Sequence, residues 1–108
     1  MQKYPVRAAD RKNLTLPALE EILRGCFGEA RTEGDVAVAV YGAISRLAVR
    51  PEGRELWVDP KMNPQVTEDV ARETIRRYNQ FLETATGFSA KERAKRLRKS
   101  AGRSDSGG

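Results

Sequence analysis

The chain has 108 residues, the length of one ordinary domain, with 20 lysines and arginines against 15 aspartates and glutamates. It contains no histidine and one cysteine. This composition excludes catalysis through an imidazole, as in Ser-His-Asp and Cys-His sites, and it excludes an internal disulfide.

The sequence also lacks the patterns of several other function classes. It has no run of about 18 apolar residues that could span a membrane, no signal-peptide core, no glycine-rich phosphate loop and no EF-hand pattern. Cys26 falls on an apolar helical face and is predicted to be a small buried hydrophobe. We therefore expect a cytoplasmic, non-enzymatic protein that uses no metal and no cofactor. Whether its sheet encloses a ligand cavity stays open.

The N-terminal part predicts an edge strand and then a helix. Residues 2–8 alternate weakly and contain Pro5, which cannot donate a ladder hydrogen bond, so an edge strand fits. Residues 10–13 predict a loop. Thr15 is typical of a helix cap and Gly28 of a helix end. The apolar residues between them share one helical face: Leu16, Leu19, Ile22, Leu23 and Cys26.

The middle of the chain has the alternation and the tight turns of an antiparallel meander. Four strands are predicted, over residues 29–32, 35–41, 44–50 and 54–59. In the 35–41 strand we assign the valines at 36, 38 and 40 to the core. The opposite, outward face of the sheet then holds Ala37, Ala39, Tyr41 and Trp57.

Two helices are predicted after the strands. The first begins at a Thr67 cap and ends at Gly87. Its buried stripe is assigned to Val70, Thr74, Ile75, Tyr78, Leu82 and Ala85. The sequence Ser89-Ala90-Lys91-Glu92 is a capping box that starts a basic helix within residues 88–100. Residues 101–108 predict a disordered tail.

The element order β-α-β-β-β-β-α-α predicts an α+β fold, a twisted antiparallel sheet with helices on one face. Residues 1–87 would form this single domain. The order also resembles that of one half of a TATA-box-binding protein, a half-saddle. This resemblance implies an architecture and says nothing about function.

Two segments resemble a known protein family. They are Val40-Tyr41-Gly42-Ala43 and residues 76–93, in which Ala-Thr-Gly-Phe-Ser-Ala-Lys-Glu-Arg is the most recognisable part. They are similar to a family of small archaeal proteins, of methanogen type, catalogued as a domain of unknown function. The similarity extends over about residues 2–100 and implies an archaeal cytosolic origin. It supplies no activity and no site residue.

The charge distribution indicates one candidate site. Residues 1–87 contain 13 basic and 13 acidic residues, so the net charge of +5 belongs entirely to residues 88–108. A basic helix of this kind favours RNA or DNA contact through phosphates, although it could simply be a solvated helix. The predicted contacts are Lys91, Arg93, Lys95, Arg96, Arg98 and Lys99, with Arg72, Arg76 and Arg77 as extensions.

The outward sheet face is the second candidate. Its aromatic residues, Tyr41 and Trp57, could stack nucleic-acid bases. The alanines at 37 and 39 instead favour close packing against another layer. The alternative function is therefore a homodimeric protein-interaction module whose interface contains Ala37, Ala39, Tyr41 and Trp57.

Overall fold

The structure is a computed structural model and describes residues 2–96. One antiparallel sheet contains five strands: β1 (Gln2–Pro5), β2 (Arg31–Glu33), β3 (Val36–Tyr41), β4 (Ile44–Glu52) and β5 (Glu55–Met62). Two α-helices accompany it, α1 (Leu16–Phe27) and α2 (Glu68–Thr86), and a 3₁₀ helix covers Ala8–Asn13. A C-terminal helical segment occupies residues 90–96. The α+β prediction is confirmed. The predicted tail, 101–108, lies outside the described residues.

The strands lie in the order β1-β5-β4-β3-β2. The last four form the predicted meander, and β1 pairs with β5, so that Tyr4 is opposite Leu56. β5 continues through Pro60 to Met62, beyond residue 59, where we predicted this strand to end. β1 pairs with β5 only as far as Val58. Pro60 therefore lies beyond that pairing, where its missing N–H removes no β1–β5 hydrogen bond.

The helix ends are those that the sequence predicts. Thr15 and Thr67 cap α1 and α2 by accepting hydrogen bonds from Ala18 N–H and Val70 N–H. Gly87 ends α2 in the left-handed conformation at φ 80°, which a side chain would disfavour.

Residues 10–13 were predicted to be a loop, but they belong to the 3₁₀ helix, which has no apolar periodicity that a sequence pattern could show.

The assignment of sheet faces was wrong for β3. In the register, Ala37 is opposite Val49, which is opposite Val58, so these three residues share the core face. Ala37 and Ala39 are buried there, whereas Val40 is 63% exposed on the other face. Every residue of β3 from 36 to 40 is apolar, so alternation could not distinguish its two faces. The small alanines lie on the side where α1 packs closely.

The assignment of the α2 stripe was also partly wrong. Ile75 is 53% exposed, while Phe81, which the prediction omitted, is fully buried. The buried residues concentrate in the C-terminal half of the helix, where it packs against α1 and the 3₁₀ helix. Position along the helix therefore decides burial here as much as the angular face does.

A buried threonine fastens the N-terminal half of α2 to the sheet. Thr74 Oγ1 accepts a hydrogen bond from Ala43 N–H at 2.9 Å and donates one to the Val70 carbonyl at 2.6 Å. The neighbouring Gly42 has φ 51°, and a Cβ there would collide with Thr74 Oγ1. The β3–β4 turn and the helix can approach this closely because residue 42 has no side chain.

Substitutions of Phe81 and of Ile75 test which of these two positions of α2 belongs to the core. Phe81→Ala empties a fully buried site, and we expect it to lower the free energy of unfolding by about 3–5 kcal/mol. Ile75→Ala removes an exposed side chain and should change it by less than about 0.5 kcal/mol. Urea denaturation of both variants measures the difference. Equal destabilisation of the two variants would show that α2 packs through a different face.

Candidate nucleic-acid interface

The C-terminal segment begins with the capping box that the sequence predicts. Ser89 N–H donates to Glu92 Oε1 at 3.2 Å, and Glu92 N–H donates to Ser89 Oγ at 3.2 Å. Hydrogen bonds with Ser89 lower the pKa of Glu92, and the nearby Arg96 and Arg7 guanidinium groups lower it further. Two backbone donors at the helix start are thereby satisfied. The segment is helical through residue 96, the last that the structure describes.

Arg93 is buried and is not exposed for contact with a nucleic acid. Only 3% of it is exposed. Its Nη1 donates to the Phe88 carbonyl at 2.6 Å and its Nη2 to Asn79 Oδ1 at 3.1 Å. Burial lowers the pKa of Arg93, and electrostatic interactions with Tyr4, Glu83 and Tyr78 oppose this shift. Although the sequence pattern assigned Arg93 to phosphate contact, the structure uses it to join the C-terminal segment to α2.

The remaining described cations of the segment point outward. Lys91, Lys95 and Arg96 are exposed. The Arg96 guanidinium carbon lies 4.0 Å from the centre of the Phe88 ring, which makes a cation–π contact. Arg98 and Lys99, which were also predicted contacts, lie outside the described residues.

The 3₁₀ helix brings further basic residues to the same end of the molecule. Arg7 N–H donates to the Thr86 carbonyl at 2.9 Å, and Asn13 Nδ2 donates to the carbonyls of Thr84 and Ala85 at 3.3 Å each. These bonds hold the 3₁₀ helix against the C-terminal end of α2. Its exposed Arg11 and Lys12 were not among the predicted site residues. The sequence gives no sign that Arg11 and Lys12 lie near the end of α2, which is more than 70 positions later in the chain.

Most cations elsewhere in the described chain are paired with carboxylates. Arg72 lies 3.0 Å from Glu68, and Arg76 and Arg77 lie 2.8 and 3.1 Å from Glu73. Hydrogen bonds from Arg76 and Arg77 lower the pKa of Glu73, so the carboxylate remains charged. The three arginines that were predicted to extend the basic helix are therefore largely neutralised by their own helix.

The cations near the C-terminal segment differ in this respect. Within residues 2–96, none of Arg11, Lys12, Lys91, Lys95 and Arg96 forms an ion pair with a carboxylate. We call these five residues the terminal basic patch. The two other exposed and unpaired cations in the described chain, Arg54 and Lys61, lie on the β4–β5 hairpin. A concentration of unpaired cations at one end of a fold attracts polyanions.

The predicted dimer residues do not form one surface. Ala37 and Ala39 are buried in the core, and the Tyr41 ring packs at 5.5 Å from that of Phe27. Trp57 lies on the outward face, where Arg50 stacks 4.3 Å above its ring. The grouping of these residues on one face was therefore wrong, for the reason given for β3.

A cleft of about 490 Å³ lies beside β2, where Arg24, Arg31 and Arg46 line its wall. Glu20 pairs with Arg24 at 2.6 Å, and Glu33 pairs with both Arg31 and Arg46. Its cations are thus already matched, which leaves little attraction for an anionic ligand.

Membrane-spanning and metal-binding features are both absent from residues 2–96. No helix there is long and apolar enough to cross a membrane. No three potential metal-ligating side chains of His, Cys, Asp or Glu type come together in the same part of the chain.

Comparison with known proteins places the chain in a family. The model of a domain of unknown function, DUF5611, matches residues 1–99. The chain belongs to the DUF5611 family. The resemblance to a family of unknown function is thereby confirmed, and no curated protein matches the chain.

The similarity extends to a solved structure of an archaeal protein. The chain is similar to the NMR solution structure of a hypothetical protein, TA0095, from Thermoplasma acidophilum. The two share 31% identity with a TM-score of 0.69, over 90% of this chain and 97% of the other. The DUF5611 match includes both parts of the terminal basic patch, the 3₁₀ helix and the C-terminal segment.

Substitution of Arg93 tests whether it holds the C-terminal segment. Arg93→Ala leaves the Phe88 carbonyl and the Asn79 side chain without their donor, so we expect the free energy of unfolding to fall by about 1–3 kcal/mol. Lys95→Ala, an exposed control, should change it by less than about 0.5 kcal/mol. Urea denaturation and hydrogen exchange of residues 90–96 measure the effect. Unchanged exchange in Arg93→Ala would refute the anchoring role.

Proposed function

We propose that this DUF5611 protein is a non-catalytic nucleic-acid-binding module whose terminal basic patch contacts the phosphate backbone. The observation that carries the proposal is the contrast in ion pairing within the described residues. The arginines of α2 are matched by carboxylates, whereas five cations at the C-terminal end of α2 are not. Unpaired exposed cations release the counterions of nucleic acid on binding, and this release is the main source of sequence-independent affinity.

The anchoring of the segment favours binding because the cations are already in position. Arg93 and the capping box fix the helix that carries Lys91, Lys95 and Arg96. A partner then need not order the segment, which would otherwise reduce the affinity. The observation that defines the patch is unpaired charge, which contacts phosphates irrespective of sequence, so we expect binding with little sequence preference.

A homodimer through the outward sheet face is the second candidate function. One observation favours it: Val40 is 63% exposed on that face. Against it, the same face carries ion pairs of Lys3 with Glu52 and of Arg50 with Asp35, as a solvated surface does. Light scattering that shows a monomer at micromolar concentration would exclude this candidate.

The nucleic-acid proposal is tested with charge-matched variants of the full chain. Lys91→Gln/Lys95→Gln removes two unpaired charges from the patch, and Arg72→Gln/Arg76→Gln removes two paired charges from α2. Fluorescence anisotropy with a short RNA and a DNA duplex, across a salt series, measures affinity and salt dependence. For duplex DNA, removal of each phosphate-binding cation should flatten the slope of log K against log salt by about 0.9 and weaken binding roughly tenfold at 0.1 M salt.

The two variants distinguish binding by the patch from a general response to net charge. The proposal requires that the Lys91/Lys95 variant binds more weakly while the Arg72/Arg76 variant retains most of its affinity. Equal weakening of both variants would indicate a response to net charge alone and would contradict the assignment of the patch. An absence of binding by the unmodified chain at low salt would refute the proposal altogether.

A further inference from the structure

We infer that the terminal basic patch prefers single-stranded nucleic acid and that the Arg96 guanidinium provides the surface on which an unpaired base stacks. This inference rests on the proposed function and adds to it the class of ligand. The starting observation is the Arg96–Phe88 contact, in which the guanidinium carbon lies 4.0 Å from the ring centre. Such a distance places the cation directly against the ring face.

The Phe88 ring is held rigidly enough to orient Arg96. Phe88 N–H donates to Thr86 Oγ1 at 3.2 Å, and its carbonyl accepts the 2.6 Å bond from Arg93. Only 7% of Phe88 is exposed. A residue fixed at both its N–H and its carbonyl provides a preorganised base for the guanidinium plane, so little side-chain entropy is lost when a ligand stacks there.

Arg96 remains exposed although it contacts the ring. The guanidinium carbon lies over the Phe88 ring, so a ligand reaches the guanidinium from the sides that face away from the ring. A flat, delocalised guanidinium stacks on nucleic-acid bases, and its edge donates hydrogen bonds to phosphate. Lys91 and Lys95, one turn apart on the same short helix, supply further phosphate contacts.

This arrangement selects single strands because the faces of bases in a duplex are already covered by their neighbours. Stacking is also tolerant of sequence, since every base has a π-face. The combination of unpaired cations with one stacking surface is therefore suited to an RNA or DNA strand with accessible bases. The shared chemistry is an unpaired base attached to a phosphate backbone.

A second guanidinium–aromatic stack serves as an internal control. Arg50 lies 4.3 Å above the Trp57 ring on the outward sheet face. Its charge is shared with Asp35 at 3.5 Å and with Glu52 at 3.9 Å. Arg50 thus lies at a similar cation–π distance from its ring to that of Arg96, but it is outside the patch and among carboxylates.

The experiment compares Arg96→Lys with Arg50→Lys, both of which keep the charge and remove the planar group. Each variant and the unmodified chain are titrated with four probes of about 10 nucleotides. The probes are single-stranded RNA, single-stranded DNA, a DNA duplex and an abasic strand with the same number of phosphates. Circular dichroism checks that both variants remain folded.

We expect the unmodified chain to bind the two base-containing single strands more tightly than the DNA duplex and the abasic strand. Arg96→Lys should reduce that affinity by roughly 5- to 100-fold, the range found when base stacking is removed. It should leave binding to the abasic strand almost unchanged, and Arg50→Lys should affect no probe. The RNA and DNA arms show which of the two sugars the site prefers.

Two results would overturn the inference, and they differ in what they imply for the proposed function. Equal binding of abasic and base-containing strands, unaffected by Arg96→Lys, would leave a phosphate-binding patch without a stacking surface. No binding of any probe at low salt would refute the proposed function together with the inference.

Discussion

The burial of the Arg93 guanidinium is the constraint on which the candidate site depends. A buried cation is costly unless its donors are satisfied, and here a main-chain carbonyl and an amide oxygen accept from it. Those acceptors belong to Phe88 and Asn79, so the segment after Gly87 must lie against α2. The same contact fixes Phe88 and with it the position of Arg96. The internal Arg93 therefore positions the external Arg96.

The second organising feature is the uneven distribution of ion pairs over the surface. Along α2 and across the outward sheet face, arginines lie close to glutamates or aspartates, and their fields largely cancel. At the C-terminal end of α2, two segments distant in sequence converge, and the five cations of the terminal basic patch have no such partners among the described residues. Isolated surface pairs contribute little to stability. Their larger effect here is to leave most of the unpaired positive charge of the described residues at one end of the fold.

Much of the fold could be predicted from the sequence because local signals specify it. Caps at Thr15, Thr67 and Ser89 and the meander turns are short-range features, and the structure contains all of them. The face of β3 could not be predicted, since its alternate residues are all apolar. The basic run of the sequence does not distinguish Arg93 from Arg96. Only tertiary packing buries Arg93 and leaves Arg96 exposed. The contribution of Arg11 and Lys12 depends on a tertiary contact that no local pattern encodes.

The most direct test of the account is a titration of the isotopically labelled full chain with a short single-stranded oligonucleotide, followed by amide chemical shifts. The account predicts that the shifts change along the 3₁₀ helix and residues 88–96, with little change around Arg72 and Arg76 or around Trp57. Changes centred on the outward sheet face, or no changes at low salt, would contradict it.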